Sequence, residues 1–200
     1  MCGRYYIDNA EADEMFAAFL WEAEARAERA AWMLSCRGEI FPTNLAPVIA
    51  PGAVHRKIGA YPMRWGFSHP TRGLQVINTR SETAMEKPLF RESASKRRCL
   101  IPATGYFEWK REPDGKKTKF AFQSPAGGTL YLAGLYLKFA EGQPPCFSIL
   151  TRDAADAVKD IHGRMPVLLP KERISDWLSP ENAFPDMLAC AVTDVCAARA

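Results

Sequence analysis

A cysteine directly follows the initiator methionine in the opening stretch MCGRYYIDNA. Once Met1 is removed, Cys2 carries an α-amine and a thiol on neighbouring carbons, a 1,2-aminothiol. An unperturbed α-amine has a pKa of about 7.7–8.0, so a useful fraction is neutral near pH 7. Three more polar residues sit in uncommon settings. Asn78 ends the apolar run in VINTRSET. Asparagine is depleted in strands, so it is either a turn former or a positioned amide. Arg80 follows two residues later, on the same face if the strand continues. Glu108 lies among aromatics in GYFEWK and shares a strand face with Tyr106 and Lys110. Facing outward it pairs with a lysine. Facing inward it is desolvated, its pKa rises, and it suits proton transfer near neutrality. His162, in DIHGRMP, falls at the C-terminal end of a short helix. There it serves either as a cap favoured by the helix dipole or as an acid–base group.

These residues need elements to hold them. GRYYI reads as an N-terminal strand. Asp8 or Asn9 can then cap a helix over 10–34, whose EAEARAERAA portion carries i,i+4 Glu–Arg pairs. FPTNLAPVIAPG is extended, because each residue before proline is pushed out of the helical region. From Arg56 to Leu150 the chain is mostly strands separated by turn signals such as EPDG and SPAGG, with one short helical piece near SETAMEKPLFRESASKR. Asp153 can cap a helix AADAVKDIH, which Gly163 stops. MPVLLP reads as a buried strand and KERISDWLS as a short helix. Strands that follow strands predict an α+β fold. Its sheet is mainly antiparallel and curled or barrel-like, within a single domain over 1–200, with short helices at the periphery.

Composition narrows the function classes. The 200 residues suffice for one domain with a core. Net charge is +3, so the placement of charge rather than its total must carry any nucleic-acid reading. Six cysteines occur without a C-x-x-C pair or zinc-ligand spacing, so no metal or other cofactor is expected. No secretory leader and no membrane span are read, and the expected setting is cytoplasmic, with reduced thiols.

The motifs MCGRY, N-x-A-P (Asn44 to Pro47), RWG (Arg64 to Gly66), INTRSET…KPLFR, RRCLIPATGYFEW and IHGRMPVLL occur in that order. Over Cys2 to about Leu169 the chain resembles the SOS response-associated peptidase (SRAP) family of abasic-site processing proteins. The resemblance implies that the Cys2 amine attacks the aldehyde of a base-less nucleotide in single-stranded DNA, and that the thiol then closes a thiazolidine. It implies that Glu108 shuttles protons of the Cys2 amine. His162 assists opening of the sugar ring or proton transfer, and Asn78 orients Cys2 and the sugar. Arg4 and Arg80 look like phosphate ligands, and Thr151 like a backbone contact. An aromatic wedge stacks beside the lesion in such proteins. The loop after Trp65–Gly66, FSHPTRG, is shorter than in many relatives, so either Phe67 or His69 substitutes there or the loop is blunter. The tail DMLACAVTDVCAARA also departs from the family pattern. The resemblance further implies a monomer that meets replication-fork proteins at the nucleoid, and a peptidase step that frees Cys2, for which an ordinary methionine aminopeptidase is an equal candidate. Two other readings stand beside it. One is an N-terminal-nucleophile amidohydrolase using Cys2. The other is a reversible single-strand binding module using Arg4, Arg80, Lys96, Arg97 and Arg98, although Lys96–Arg98 also reads as a solvated turn before a strand.

Overall fold

The computed structural model describes residues 2–8, 32, 36–52, 57–68, 73, 75–138 and 144–200. The helix expected over 10–34 falls outside these residues apart from Trp32, and His69 falls outside them altogether.

Among the described residues, five strands form an antiparallel sheet in the order β15-β10-β9-β1-β2. They are β1 (Tyr5–Ile7), β2 (Gly38–Ile40), β9 (Gly105–Arg111), β10 (Lys117–Gln123) and β15 (Cys196–Arg199). The β9–β10 hairpin is stiffened by Tyr106 and Phe122. These register partners stack with centroids 4.9 Å apart.

The second sheet contains β3 (Leu45–Pro51), β4 (Ile58–Trp65), β7 (Asn78–Arg80), β8 (Arg98–Ala103), β11 (Leu130–Leu137), β12 (Cys146–Asp153), β13 (Arg164–Pro166) and β14 (Leu168–Leu169). The pairings β4–β3–β8–β11–β12 return to β4 and close a ring. The fold is thus α+β with a curled sheet, as expected, but not wholly antiparallel. One edge of β12 runs parallel to β4 and then to β7, while the other pairs antiparallel with β11 and then β13. Closure demands close approach at Gly134, which bonds to both β8 and β12. A Cβ there would lie 2.5 Å from Ile101 Cδ1.

Every residue of β8 is buried, because both of its faces are covered. Cys99, Ile101 and Ala103 join Tyr5, Ile7, Ile40, Tyr106 and Phe122 in a core shared by the two sheets, and Cys2 lies in this core. Leu100 faces a second core with Phe67, Phe90 and Trp177. That core is covered by α1 (Pro88–Lys96), α3 (Ile174–Leu178) and α4 (Phe184–Ala189).

Three local expectations are corrected. Asp153 does not cap the next helix, α2 (Asp156–Lys159). Ala155 holds the N-cap position without a side-chain bond, while Asp153 pairs with Arg164. The basic run Lys96–Arg98 is solvated only in part: Lys96 is exposed at the end of α1, Arg97 is half-buried and Arg98 lies inside. Arg98 is 2% exposed, and its guanidinium donates to the carbonyls of Ser179 and Asn182 beyond α3 while lying over the Trp177 ring. Arg97 pairs with Glu92. The C-terminal tail contributes α4 and the edge strand β15, neither of which was expected.

Candidate active site

β1 brings Cys2 to the site. Arg4 O accepts from Phe107 N–H at 2.8 Å and Tyr6 O from Thr104 N–H at 2.9 Å, so the N-terminal segment is laced along β9. Cys2 is fully buried, with Sγ 3.9 Å from Arg4 O. Burial pushes its thiol well up, and the nearby Glu108 carboxylate pushes in the same direction. The sulfur is therefore held as a neutral thiol.

Asn78 is a positioned amide. Its Nδ2 donates to Cys2 O at 2.8 Å, across 76 positions of sequence. Its Oδ1 is buried without a hydrogen-bond partner. The preceding carbonyl, Ile77 O, accepts from Ile149 N–H at 3.0 Å and from the Trp65 indole N–H at 2.9 Å. Trp65 is itself fully buried and stacked on Phe147. These contacts fix where β7 starts and hence where the amide points.

Glu108 takes the inward alternative. It is 2% exposed, in line with Tyr106 on the inner face of β9. Burial raises its carboxyl above the usual range, and His162 opposes that rise. His162 Nε2 lies 3.9 Å from Glu108 Oε2. The backbone N–H of Arg164 points at His162 Nδ1 at 3.0 Å. Arg164 O lies 3.2 Å from the same nitrogen, so Nδ1 accepts from the N–H in one tautomer and donates to the carbonyl in the other. His162 lies beyond α2, with its N–H bonded to Val158 O. It is thus joined to a helix end but turned into the site. Glu108 and His162 open onto a cleft of about 510 Å³ that is also lined by Trp109, Arg111, Lys117, Ile161 and Gly163.

Arg164 is a site residue to which sequence reasoning gave no role. Its guanidinium grips Glu82 with both terminal nitrogens, at 2.7 and 2.9 Å, and also binds Asp153 and Thr151 O. The Arg164 bond holds the Glu82 carboxyl below the usual range. One side chain thereby locks the turn after β7 to the strand that follows His162. The available signal was its place two residues after His162 in IHGRMP.

Residues 1–198 match the family model described as SOS response associated peptidase (SRAP). The chain belongs to the SRAP family. Abasic site processing protein YoaM of Bacillus subtilis (strain 168) is 36% identical over 167 residues, covering 76% of this chain and 72% of the relative. Abasic site processing protein YedK of Escherichia coli (strain K12) is 31% identical over 123 residues, covering 60% of this chain and 55% of the relative. A crystal structure of a Bacteroides thetaiotaomicron protein superposes with a TM-score of 0.79 at 22% identity, over 99% of this chain and 91% of that one. The last match bears on the SRAP fold alone.

The SRAP chain places the remaining candidates in different ways. Arg80 is exposed at the end of β7, on the same side as Asn78 and opposite the buried Thr79. Arg4 bonds Glu39 at 3.0 Å and lies between the Phe41 and Trp109 rings, 4.4 and 5.0 Å from their centroids. Phe67 is fully buried against Phe90, so it cannot stack on a base; an aromatic in the core has no free face. Thr151 is also fully buried. It is paired with Arg80 and Pro166, and its carbonyl is taken by Arg164, so it walls the site rather than facing a ligand. Among the described residues no cluster of three His, Cys, Asp or Glu side chains could hold a metal.

Proposed function

We propose that this chain processes abasic sites in single-stranded DNA by linking the lesion covalently to Cys2. The observation that carries this reading is the convergence of Asn78, Glu108 and His162 on Cys2. It is supported by relatives named abasic site processing proteins.

The state of the thiol supports an order of events. A neutral, buried sulfur is a poor first nucleophile. The α-amine, released when the Met1–Cys2 bond is hydrolysed, attacks the aldehyde carbon of the open-chain sugar first. The carbinolamine loses water to give a Schiff base. The thiol sulfur then adds to the imine carbon, its proton passes to the imine nitrogen, and a five-membered thiazolidine closes. The sum is one water lost and no DNA bond broken. Because both nucleophiles belong to one residue, closure is intramolecular, with a large effective concentration. A buried Glu108 with a raised pKa can accept the ammonium proton and return it to the departing hydroxyl. Nε2 of His162 lies 3.9 Å from the same carboxylate and can relay that proton toward the cleft. Arg80 and Arg4 are the phosphate ligands in this reading, with Arg4 released from Glu39 by DNA. The same groups serve removal of Met1 if the chain frees its own Cys2. The protein acts as one domain, as a monomer at the replication fork. The protonated thiol weighs against an amidohydrolase, which needs sulfur as its first nucleophile.

Intact mass after incubation with an abasic oligonucleotide tests the reading. The expected species is the chain without Met1 plus the oligonucleotide less one water, stable to heating. If Cys2→Ala forms the same adduct as readily, the reading is wrong.

A further inference from the structure

We infer that Arg111 and Lys117 form a phosphate subsite for one DNA backbone phosphate flanking the lesion, an inference that rests on the function proposed above. Arg111 ends β9 and Lys117 begins β10, and the two are direct register partners. Like charges placed opposite each other across a ladder are destabilising unless something answers them. Three other cations around this hairpin each have a carboxylate, although Lys110 beside Arg111 has none among the described residues. Lys116 pairs with Asp114 at 3.1 Å, Lys119 with Glu39 at 2.5 Å, and Arg4 with the same Glu39. Among the described residues Arg111 and Lys117 have none, and both are exposed.

Their location selects the ligand. Both line the cleft onto which Glu108 and His162 open, together with Trp109. An anion held there lies one cleft away from the reacting groups. The platform is stiff: Glu112 N–H bonds Lys116 O at 2.9 Å, Gly115 turns the chain at φ 82°, and Lys116 N–H bonds Asp114 Oδ1 at 3.0 Å. The guanidinium fork supplies paired donors for phosphate oxygens and the ammonium a point charge. Such a subsite supplies affinity without base preference, as a lesion without a base requires.

The test uses reversible binding, so that it does not depend on the covalent step. A single strand carrying a tetrahydrofuran abasic analogue has no aldehyde and cannot crosslink. Its Kd is measured by fluorescence anisotropy between 50 and 200 mM salt, for the parent chain and for the Arg111→Gln/Lys117→Gln double variant. One phosphate contact to a single strand contributes a slope of about 0.7 in log Kd against log salt. Its loss therefore reduces the fall in affinity over that range by about 2.6-fold. A scan of uncharged methylphosphonate linkages should find one position near the lesion that weakens the parent and leaves the double variant unchanged. An unchanged salt slope in the double variant, or no such position, overturns the subsite. So does a parent that fails to bind the strand. Adduct formation by the parent on natural abasic DNA is scored separately. An adduct with an unchanged slope removes the subsite alone, whereas no adduct removes the covalent reading.

Discussion

Replacing Glu108 by glutamine separates what the residue does for the fold from what it does for chemistry. The carboxylate is 2% exposed, and the half-buried His162 imidazole lies 3.9 Å away. Burial raises its pKa above the ordinary value of 4.5. The folded state therefore holds the proton to higher pH than the unfolded chain does. In the window between the two pKa values the folded state binds more protons, so stability falls as pH rises through it and is level above. Glutamine has no proton to lose and escapes that fall. Relief of a strained functional group typically adds about 0.5–2 kcal/mol. In a chain of this length about 1 kcal/mol moves Tm by roughly 2–4 °C. The expected result is a Tm above the parent's at pH 7 and a gain that disappears as pH is lowered through 4.5. Crosslinking should slow by about 10²-fold or more, as for loss of a positioned general acid–base. Calorimetry across pH 4–8 on both proteins, with adduct formation timed at pH 7, measures the two effects. A Tm difference that does not change with pH would refute the reasoning, because the carboxylate would then not be strained by burial.

Two further outcomes follow from the contacts. Asn78→Ala removes the bond to Cys2 O and should lower stability by about 1 kcal/mol in denaturant titration, while slowing adduct formation more than it weakens reversible DNA binding. Arg98→Met removes a buried guanidinium bonded to two carbonyls, and should lower Tm while leaving DNA affinity and its salt slope unchanged, since the residue meets protein rather than solvent.

The reach of the sequence differed between the site and its supports. Cys2, Asn78, Glu108 and His162 were each visible as a residue type out of place, and the structure brings all four together. Local pattern left Glu108 open between two faces, because period-2 alternation names a face without saying which side is covered. Burial of Tyr106 beside it decides the matter. Arg98 misled for the same reason. In a strand buried on both faces an arginine can lie inside if helix-end carbonyls meet it, and those carbonyls lie more than 80 positions away. Phe67 looked available because it follows Trp65–Gly66, but Phe90 from α1 closes over it. The parallel pairing of β12 with β4 and β7 left no local trace, since register between distant strands is set by tertiary packing. Strand β15 is exposed along its whole length, so it lacks the alternation by which strands are recognised.

The supports also explain why the reactive groups can be strained without being loose. Cys2, Asn78 and Glu108 stand on or beside strands β1, β7 and β9, and His162 alone stands on a connection. That connection is the one Arg164 secures. Its backbone N–H and carbonyl both meet the imidazole Nδ1, and its guanidinium binds Glu82, Asp153 and Thr151 O. The bidentate grip on Glu82 reaches back to the turn after Asn78, so the amide that holds Cys2 and the imidazole that faces Glu108 share one clamp. Lysine could keep the charge at position 164 but not the two-pronged contact. The backbone N–H that orients His162 would survive that change. Disorder would therefore enter first through the β7 turn, and through Asn78, rather than through the histidine.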